Sequence, residues 1–199
     1  MKTLNLMIII FLFVMCSGNS GVSSHGKKVT FGIHEVVNTT EIPAQIIDTL
    51  KTRNMLPEKN NQLSIVGYIL KADSNVFQLD LTEKHFKLVK TLYPVDRERK
   101  YYAVVAIKPI PAIEIADIQN TKSKGNAVEI YFTMKGAHKW ADLTKNMTGR
   151  TVAFVIDNQI YNMPLVQGEI RNGVALINGL ENEVFAKEIS ESLNLSIPK

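Results

Sequence analysis

The chain has 199 residues, of which 45% are hydrophobic, and this is enough for one large domain or two small ones with a packed core. Its 23 basic and 19 acidic residues leave a formal charge of +4 that is spread along the sequence. Because no basic stripe or tail concentrates this charge, a nucleic-acid partner is not expected.

The first residues have the layout of a secretory signal. A positive charge at Lys2 precedes an apolar run over residues 4–15 that only Asn5 interrupts. This run is shorter than the roughly 20 residues that a helix needs to span a bilayer. We therefore expect residues 1–28 to be a signal peptide followed by a flexible tether, and the mature protein to be exported to the periplasm or cell surface.

The placement of Cys16, the single cysteine of the chain, predicts lipid attachment. Cys16 directly follows the apolar run and precedes a polar stretch at residues 17–24, as the lipid-modified first residue of a bacterial lipoprotein does. Residues 12–15 resemble a lipobox only loosely, because Met15 stands where a small residue is usual. The alternative is an ordinary signal peptide cleaved beyond Cys16, for example after Gly18. A single cysteine forms no internal disulfide, so the domain must rely on its hydrophobic core.

Residues 29–109 predict an N-terminal α/β unit. The pattern favours a strand at 29–37, then a helix at 41–54 with Ile42, Ile46 and Leu50 on one face and Thr40 as its N-cap. Further elements are predicted as strands at 63–70 and 76–81, a helix at 82–92 and a strand at 101–107. This order matches the ferredoxin-like split βαβ arrangement, and Pro109 and Pro111 indicate the end of the unit.

Residues 110–199 predict a second unit of strands with two helices. A hairpin is expected from 112–119 and 127–134 around a turn-rich segment at 120–126, followed by a helix at 136–147 with Gly149 as its left-handed C-cap. The apolar segment 151–156 predicts a doubly buried strand that turns at Asp157 and Asn158 into a strand at 159–166. A second hairpin is expected from 169–171 and 174–177 around Asn172 and Gly173, before a last helix at 181–193.

Two groups of spaced residues in this second unit carry a resemblance to a known family. The first follows the strand at 128–133 and comprises Gly136, Ala137, Trp140, Ala141, Leu143, Thr144, Asn146 and Gly149. The second follows the apolar strand that ends at Asp157 and comprises Ile160, Pro164, Ile170, Gly173, Ile177 and Gly179. Together with the leucine-rich close at 193–198, they resemble the head subdomain of the first periplasmic region (P1) of the export factor SecD. Asn158 departs from the pattern, because family members usually have glycine there.

The resemblance implies an α+β fold, with the ferredoxin-like unit at 29–109 followed by a head-like sheet packed with two helices at 110–199. It also implies binding of exported or unfolded polypeptide, which an exposed strand edge achieves by adding a client strand. The alternative is a docking or structural lipoprotein that binds one specific envelope partner. No second apolar segment is long enough to cross a bilayer, so we expect membrane attachment by the lipid anchor alone and no proton-coupled translocase activity.

Catalytic chemistry is not expected. The four histidines (His25, His34, His85 and His138) fall in different elements without metal-ligand spacing, and neither a Gly-x-Ser-x-Gly elbow nor a phosphate-binding glycine loop is present. His138 and Asp142 lie four residues apart, which is typical of a weak surface pair. We therefore predict no enzyme activity, metal or cofactor, although a hydrolase with an unrecognised site is a third, weaker alternative. The motif residues, including Trp140, are expected to be mainly structural.

Overall fold

The computed structural model describes residues 26–51, 56–57, 64–74 and 85–199, which form a mixed α+β fold with two sheets. The strands are β1 (Phe31–Glu35), β2 (Leu56–Pro57), β3 (Gly67–Leu70), β4 (Lys87–Thr91), β5 (Tyr101–Ile107), β6 (Ile113–Glu114), β7 (Ile118–Lys124), β8 (Ala127–Phe132), β9 (Val152–Ile156), β10 (Gln159–Asn162) and β11 (Val174–Ile177). The helices are α1 (Ala44–Lys51), α2 (Met134–Asn146) and α3 (Glu183–Ser196). The predictions for the signal peptide and Cys16 fall on residues 1–25 and lie outside the described residues.

The larger sheet has eight strands in the order β2-β3-β5-β4-β10-β9-β1-β6. It combines strands from both sides of the predicted boundary at residue 109, because β1 pairs with β9 over five residues and β10 pairs in parallel with β4. Every residue of β9 is buried, as its continuous apolar sequence predicts for a strand covered on both faces. The two predicted units therefore share one sheet, and their division into separate subdomains stays a prediction.

The smaller sheet has three antiparallel strands in the order β11-β8-β7. In β8 the burial alternates, so that Val128, Ile130 and Phe132 face the interior while the residues between them are half-buried. The largest hydrophobic cluster joins this inner face to the other parts of the fold, through Trp140 of α2, Phe154 of β9 and others. The number of side chains buried in this cluster fixes α2 and both sheets relative to one another, since each fully buried large apolar side chain contributes about 1.5–3 kcal/mol to the free energy of unfolding.

Several elements of the N-terminal unit differ from the sequence prediction. Residues 39–41 form a 3-10 turn and α1 begins after Pro43, so Thr40 is not the N-cap. The predicted helix at 82–92 is wrong over 87–91, which form β4, because Leu88 and Val89 are both buried and the segment pairs with β5. The predicted strand at 76–81 lies outside the described residues. The α+β class is confirmed, but the second helix of the ferredoxin-like order is not found at 85–92.

The C-terminal unit corresponds more closely to its prediction. Helix α2, the β9–β10 hairpin and helix α3 are present, although β10 ends at Asn162 instead of residue 166. Gly149 has the predicted positive φ, but it is not the C-cap, because Met147 caps α2 and the Gly149 amide donates to the Val166 carbonyl. The predicted strand at 112–119 is wrong over most of its length, because residues 113–114 form β6, which pairs with β1, and residues 115–117 form a 3-10 turn. The strand that pairs with β8 is β7, which begins at Ile118 and extends through Lys124, so the turn is confined to Gly125 and Asn126 instead of 120–126. The predicted hairpin of 169–171 with 174–177 is wrong, because β11 pairs with β8 and residues 169–171 form no strand.

Candidate functional site

The pairing of the small sheet determines which main-chain groups remain at its edges. In an antiparallel pair, alternate residues direct both their N–H and C=O toward the partner strand, and the residues between them direct these groups away. The Phe132 amide donates to the carbonyl of Gly173 at 3.0 Å, which assigns Gly173 to the residues facing β8. By this alternation, Val174 and Leu176 direct their main-chain groups to the outer edge of β11.

The outer edge of β7 is closed by side chains of α3. The Thr121 amide donates to Oδ1 of Asn194 at 2.8 Å, and Nδ2 of Asn194 donates to the Thr121 carbonyl at 3.0 Å. The Thr121 hydroxyl also donates to the carbonyl of Ser190 at 2.9 Å. Since both main-chain groups of Thr121 are bonded, a further strand cannot pair with β7 at this position.

The outer edge of β11 is only partly covered. The Val174 amide donates to Oδ1 of Asn172 at 3.1 Å, and the Leu176 carbonyl accepts a hydrogen bond from Nδ2 of Asn162 at 3.2 Å. Among the described residues, none bonds to the Leu176 amide or the Val174 carbonyl. This edge therefore presents a free donor and a free acceptor to a ligand.

A groove of about 760 Å³ runs beside this edge, between β11 and the chain at residues 162–170. Its lining is mainly apolar and includes Trp140, Phe154, Pro164, Leu165, Val174 and Leu176. Leu165 and Leu176, which both line the groove, are 54% and 44% exposed, so part of this apolar surface faces solvent. The site thus combines unpaired main-chain groups with an apolar surface.

The second wall of the groove is held in place by hydrogen bonds to the core. The Pro164 carbonyl accepts from the Val152 amide at 3.2 Å, and the Val166 amide donates to the Arg150 carbonyl at 2.9 Å. Further along, the Ile170 amide donates to the hydroxyl of buried Thr144 at 2.9 Å. Because these bonds anchor both ends of the segment, the groove is preformed.

Trp140 lies at the floor of the groove and also packs in the core. It is 3% exposed, and its ring centroid lies 5.8 Å from that of Phe132 and 6.1 Å from that of Phe154, the latter in an edge-on arrangement. Its indole Nε1 is buried without a hydrogen-bond partner in the described part of the chain. Trp140 is thus primarily a packing residue that also lines the groove.

Helix α2, which carries Trp140 and Thr144, is fixed at its N-terminus. The Thr133 hydroxyl accepts from the Gly136 amide at 3.1 Å, so Thr133 acts as the N-cap. Gly136 packs so closely on the main chain of Asp117 that an added Cβ would lie 2.2 Å from the Asp117 carbonyl oxygen. The buried Asp117 carboxylate also accepts from Nζ of Lys139 at 2.7 Å, which joins α2 to the start of β7.

The structure brings only some of the predicted motif residues to the groove. Trp140 and Pro164 line it, and Thr144 anchors its wall. Gly173 (φ 66°) provides the turn directly before β11. The others form turns elsewhere: Gly149 (φ 76°), Gly179 (φ 71°), and Asp157 (φ 44°), whose carboxylate accepts from the Thr30 amide at 2.9 Å. Gly136 acts at the N-terminus of α2.

Sequence reasoning missed Asn162, Leu165 and Leu176. Each of these residues is unremarkable in the sequence, since a leucine in a strand or after a proline is usually buried. Their role depends on which strand edge remains unpaired, and this is decided by tertiary contacts. The one available signal was the pair of turn residues Asn172 and Gly173, which marked the start of β11 but indicated the wrong partner strand.

A second depression, of about 640 Å³, lies between α2 and the loop at 169–171 and is lined by His138, Asp142, Glu169 and Arg171 among others. Arg171 donates to both Glu169 carboxylate oxygens at 2.8 Å, and these bonds lower the pKa of the Glu169 carboxyl. A carboxylate held in this way is a weak general base.

Over the described ranges, no group of three or more His, Cys, Asp or Glu side chains is arranged to hold a metal ion.

A comparison with known families matches the part of the chain that contains the motif residues. The model of the SecDF P1 head subdomain matches residues 90–196, which is more than half of the chain. The chain belongs to the SecDF P1 head subdomain family. The resemblance predicted from residues 127–198 is therefore confirmed, and the matched region begins about 20 residues before the predicted boundary, within β4.

Curated relatives of this P1 head protein are subunits of protein translocases. SecDF of Thermus thermophilus is 35% identical over 63 residues, which cover 32% of this chain and 9% of that protein. SecD of Rickettsia felis is 27% identical over 123 residues, with coverage of 59% and 24%, and SecD of Rhodothermus marinus is 36% identical over 66 residues, with coverage of 32% and 11%. The chain thus spans less than a quarter of the length of these relatives.

Solved SecDF structures are also similar to the P1 head protein. A SecDF crystal structure in a super-membrane-facing form has a TM-score of 0.49 and 21% identity, and covers 85% of this chain and 19% of that chain. A structure of SecDF described as a membrane component that enhances protein export has a TM-score of 0.49 and 20% identity, with coverage of 85% and 63%. None of the helices in the described ranges is long and apolar enough for a membrane crossing.

Proposed function

We propose that this P1 head protein is an extracytoplasmic polypeptide-binding module that acts in protein export, anchored by a lipid on Cys16 and without enzymatic or proton-coupled translocase activity of its own. The family supports a role related to protein export. The observation that carries the binding function is the open edge of β11 beside an apolar groove. Its ligand is an extended segment of exported or unfolded polypeptide.

Strand addition explains how such a site accepts many clients. The Leu176 amide and the Val174 carbonyl point away from β8, as the edge groups of a sheet do, so an incoming strand can pair with them through its own main chain. Main-chain bonds are the same for every sequence, and the apolar groove adds affinity for clients with alternating apolar side chains. Unfolded polypeptide exposes both features, whereas a folded protein buries them.

The binding experiment uses a labelled ten-residue peptide of alternating valine and threonine, titrated into the purified chain. Trp140 is the single tryptophan and lines the groove, so its fluorescence reports occupancy. Leu176→Pro removes the outward amide donor and is tolerated at a strand edge, while the matched Leu176→Ala variant removes the side chain and keeps the donor. We expect the proline variant to bind at least tenfold more weakly than the alanine variant. Equal affinities, or no binding by the wild type, would refute strand addition.

Anchoring is tested separately in cells. Metabolic labelling with a fatty-acid probe is expected to mark the wild type and not a Cys16→Ser variant. If the wild type takes up no label, the alternative of a signal peptide cleaved beyond Cys16 is favoured.

The range of partners separates a general polypeptide-binding module from a docking lipoprotein. Capture from an envelope extract with wild-type and Leu176→Pro chains is expected to yield many unfolded clients that are lost together in the variant. One stoichiometric partner that both chains retain would favour docking at another surface.

A further inference from the structure

Asn162 occupies one main-chain group at the edge of β11 that a client strand needs. Asn162 ends β10, just after an irregularity in its pairing with β9 between Ile160 and Asn162. Its Nδ2 donates to the Leu176 carbonyl at 3.2 Å, and its Oδ1 accepts from the Met163 amide at 2.9 Å. The side chain therefore bridges the two walls of the groove.

This contact is weaker than the corresponding one at the opposite edge of the sheet. At β7, Asn194 bonds to both main-chain groups of Thr121 at 2.8 and 3.0 Å in a partly buried position. At β11, Asn162 makes one bond to Leu176, which is longer and solvent-exposed, and it leaves the Leu176 amide unbonded. An exposed single bond exchanges readily with another donor, because water and protein donors are close in energy there.

A client strand and Asn162 compete for the same acceptor. Whether a strand adds in the parallel or antiparallel direction, a paired edge residue uses both its N–H and its C=O. A strand that bonds to the free Leu176 amide is therefore aligned to donate to the Leu176 carbonyl as well. A carbonyl oxygen has two lone pairs, but the Asn162 amide approaches it from the outer side of β11, which is also the side from which the client donor must come, so the two donors compete.

We infer that Asn162 sets the affinity of the β11 edge for extended polypeptide, by holding the Leu176 carbonyl until a client strand displaces it. This inference rests on the proposed polypeptide-binding function and concerns the same site. In the absence of a client, Asn162 satisfies the carbonyl and discourages pairing with unrelated strand edges.

The test compares peptide affinity of the wild type with that of Asn162→Ala, using the valine-threonine peptide and Trp140 fluorescence. Removing the competing donor is expected to tighten binding by about three- to tenfold, the equivalent of one exposed hydrogen bond. Asn120→Ala is the matched control, because Asn120 is an exposed asparagine of β7 that does not line the groove. Asn162→Asp keeps an acceptor for the Met163 amide and lacks the donor to Leu176, so it replaces the alanine variant if that variant is unstable. Asn162→Asp is also expected to bind the peptide more tightly than the wild type.

The outcomes separate this inference from the proposed function. If the wild type binds and the Asn162 variants bind no more tightly than Asn120→Ala, the role of Asn162 is refuted and polypeptide binding stands. If no variant and no wild type binds the peptide, both proposals fail. Tighter binding by both Asn162 variants, with the affinity of Asn120→Ala unchanged, supports displacement of Asn162 by the client strand.

Discussion

Asn194 of α3 and Thr121 of β7 form a pair of hydrogen bonds in which a side-chain amide takes the place of a neighbouring strand. The Asn194 carboxamide accepts from the Thr121 amide and donates to its carbonyl, at 2.8 and 3.0 Å. A peptide unit of an added strand presents the same donor and acceptor. The small sheet is therefore closed on the β7 side, and its free edge lies at β11.

Replacing Asn194 with alanine is expected to lower the free energy of unfolding by about 1–3 kcal/mol. The change leaves the main-chain N–H and C=O of Thr121 without partners in a partly buried position, and unsatisfied groups of this kind cost about that amount. Urea denaturation of the variant and of the exposed-site control Asn178→Ala measures the effect. If the two variants unfold at the same urea concentration, the two bonds do not stabilise the fold.

Gly136→Ala is expected to destabilise the protein by about 1–3 kcal/mol, because the new methyl group collides with the main chain of Asp117 and displaces the N-terminus of α2. Gly168→Ala is the control, since no atom lies within 4 Å of a Cβ added there. Thermal unfolding followed by circular dichroism compares the two. A Gly136→Ala protein that melts with the wild type would show that α2 can shift without cost.

Thr144→Val is expected to loosen the wall of the groove. The Thr144 hydroxyl donates to the Trp140 carbonyl at 2.8 Å and accepts from the Ile170 amide at 2.9 Å, so valine leaves that amide without its acceptor at a cost of about 1–3 kcal/mol. Hydrogen exchange of the Ile170 amide is expected to accelerate. Thr144→Ser keeps the hydroxyl and should retain protection at Ile170. Equal exchange in both variants would argue against this anchor.

Stability is expected to fall as the pH drops from about 6.5 to about 4, because of His34. Burial lowers the pKa of His34 from 6.5 to about 4, an effect that its hydrogen bond to the Lys108 carbonyl partly offsets and that nearby Lys87 reinforces. The unfolded chain binds the His34 proton more tightly than the folded chain does. The contribution of neutral His34 to the free energy of unfolding is therefore fully present above pH 6.5, and about 3 kcal/mol of it is lost as the pH falls to about 4 and below. His34→Gln removes this titration. Parallel pH profiles of unfolding free energy for the two proteins would contradict the assignment.

The C-terminal elements were predictable because their local signals agree with the tertiary structure. The apolar face of α2 and the continuous apolar run of β9 each satisfy propensity and burial at once, and Gly149, just beyond α2, has the positive φ that glycine favours. The spaced motif residues could be matched to the family from the sequence because each of them can be read without knowledge of distant contacts. Most of these residues provide turns and close packing that the P1 head fold requires, and their roles are local.

The segment at 87–91 shows where local reasoning fails. Its apolar residues fit one face of a helix, yet pairing with β5 buries both Leu88 and Val89. The burial and hydrogen bonds gained in the sheet outweigh the weak helical preference of so short a segment. The partner of β11 was missed similarly. The turn at Asn172 and Gly173 is local, but the inner face of β8 offers buried apolar partners that residues 169–171 lack.

Hydrophobic periodicity and turn residues predicted the helices and several turns of the C-terminal unit, because these signals are local. The resemblance of the spaced motif residues to a known family supplied the family and the α+β class. Which strands lie at an edge of a sheet became known only from the three-dimensional fold. Edge exposure depends on contacts between residues far apart in the chain, such as Asn194 with Thr121 and Asn162 with Leu176. The proposed binding site is therefore a property of the assembled sheet, since the same leucines would be ordinary core residues if another strand covered them.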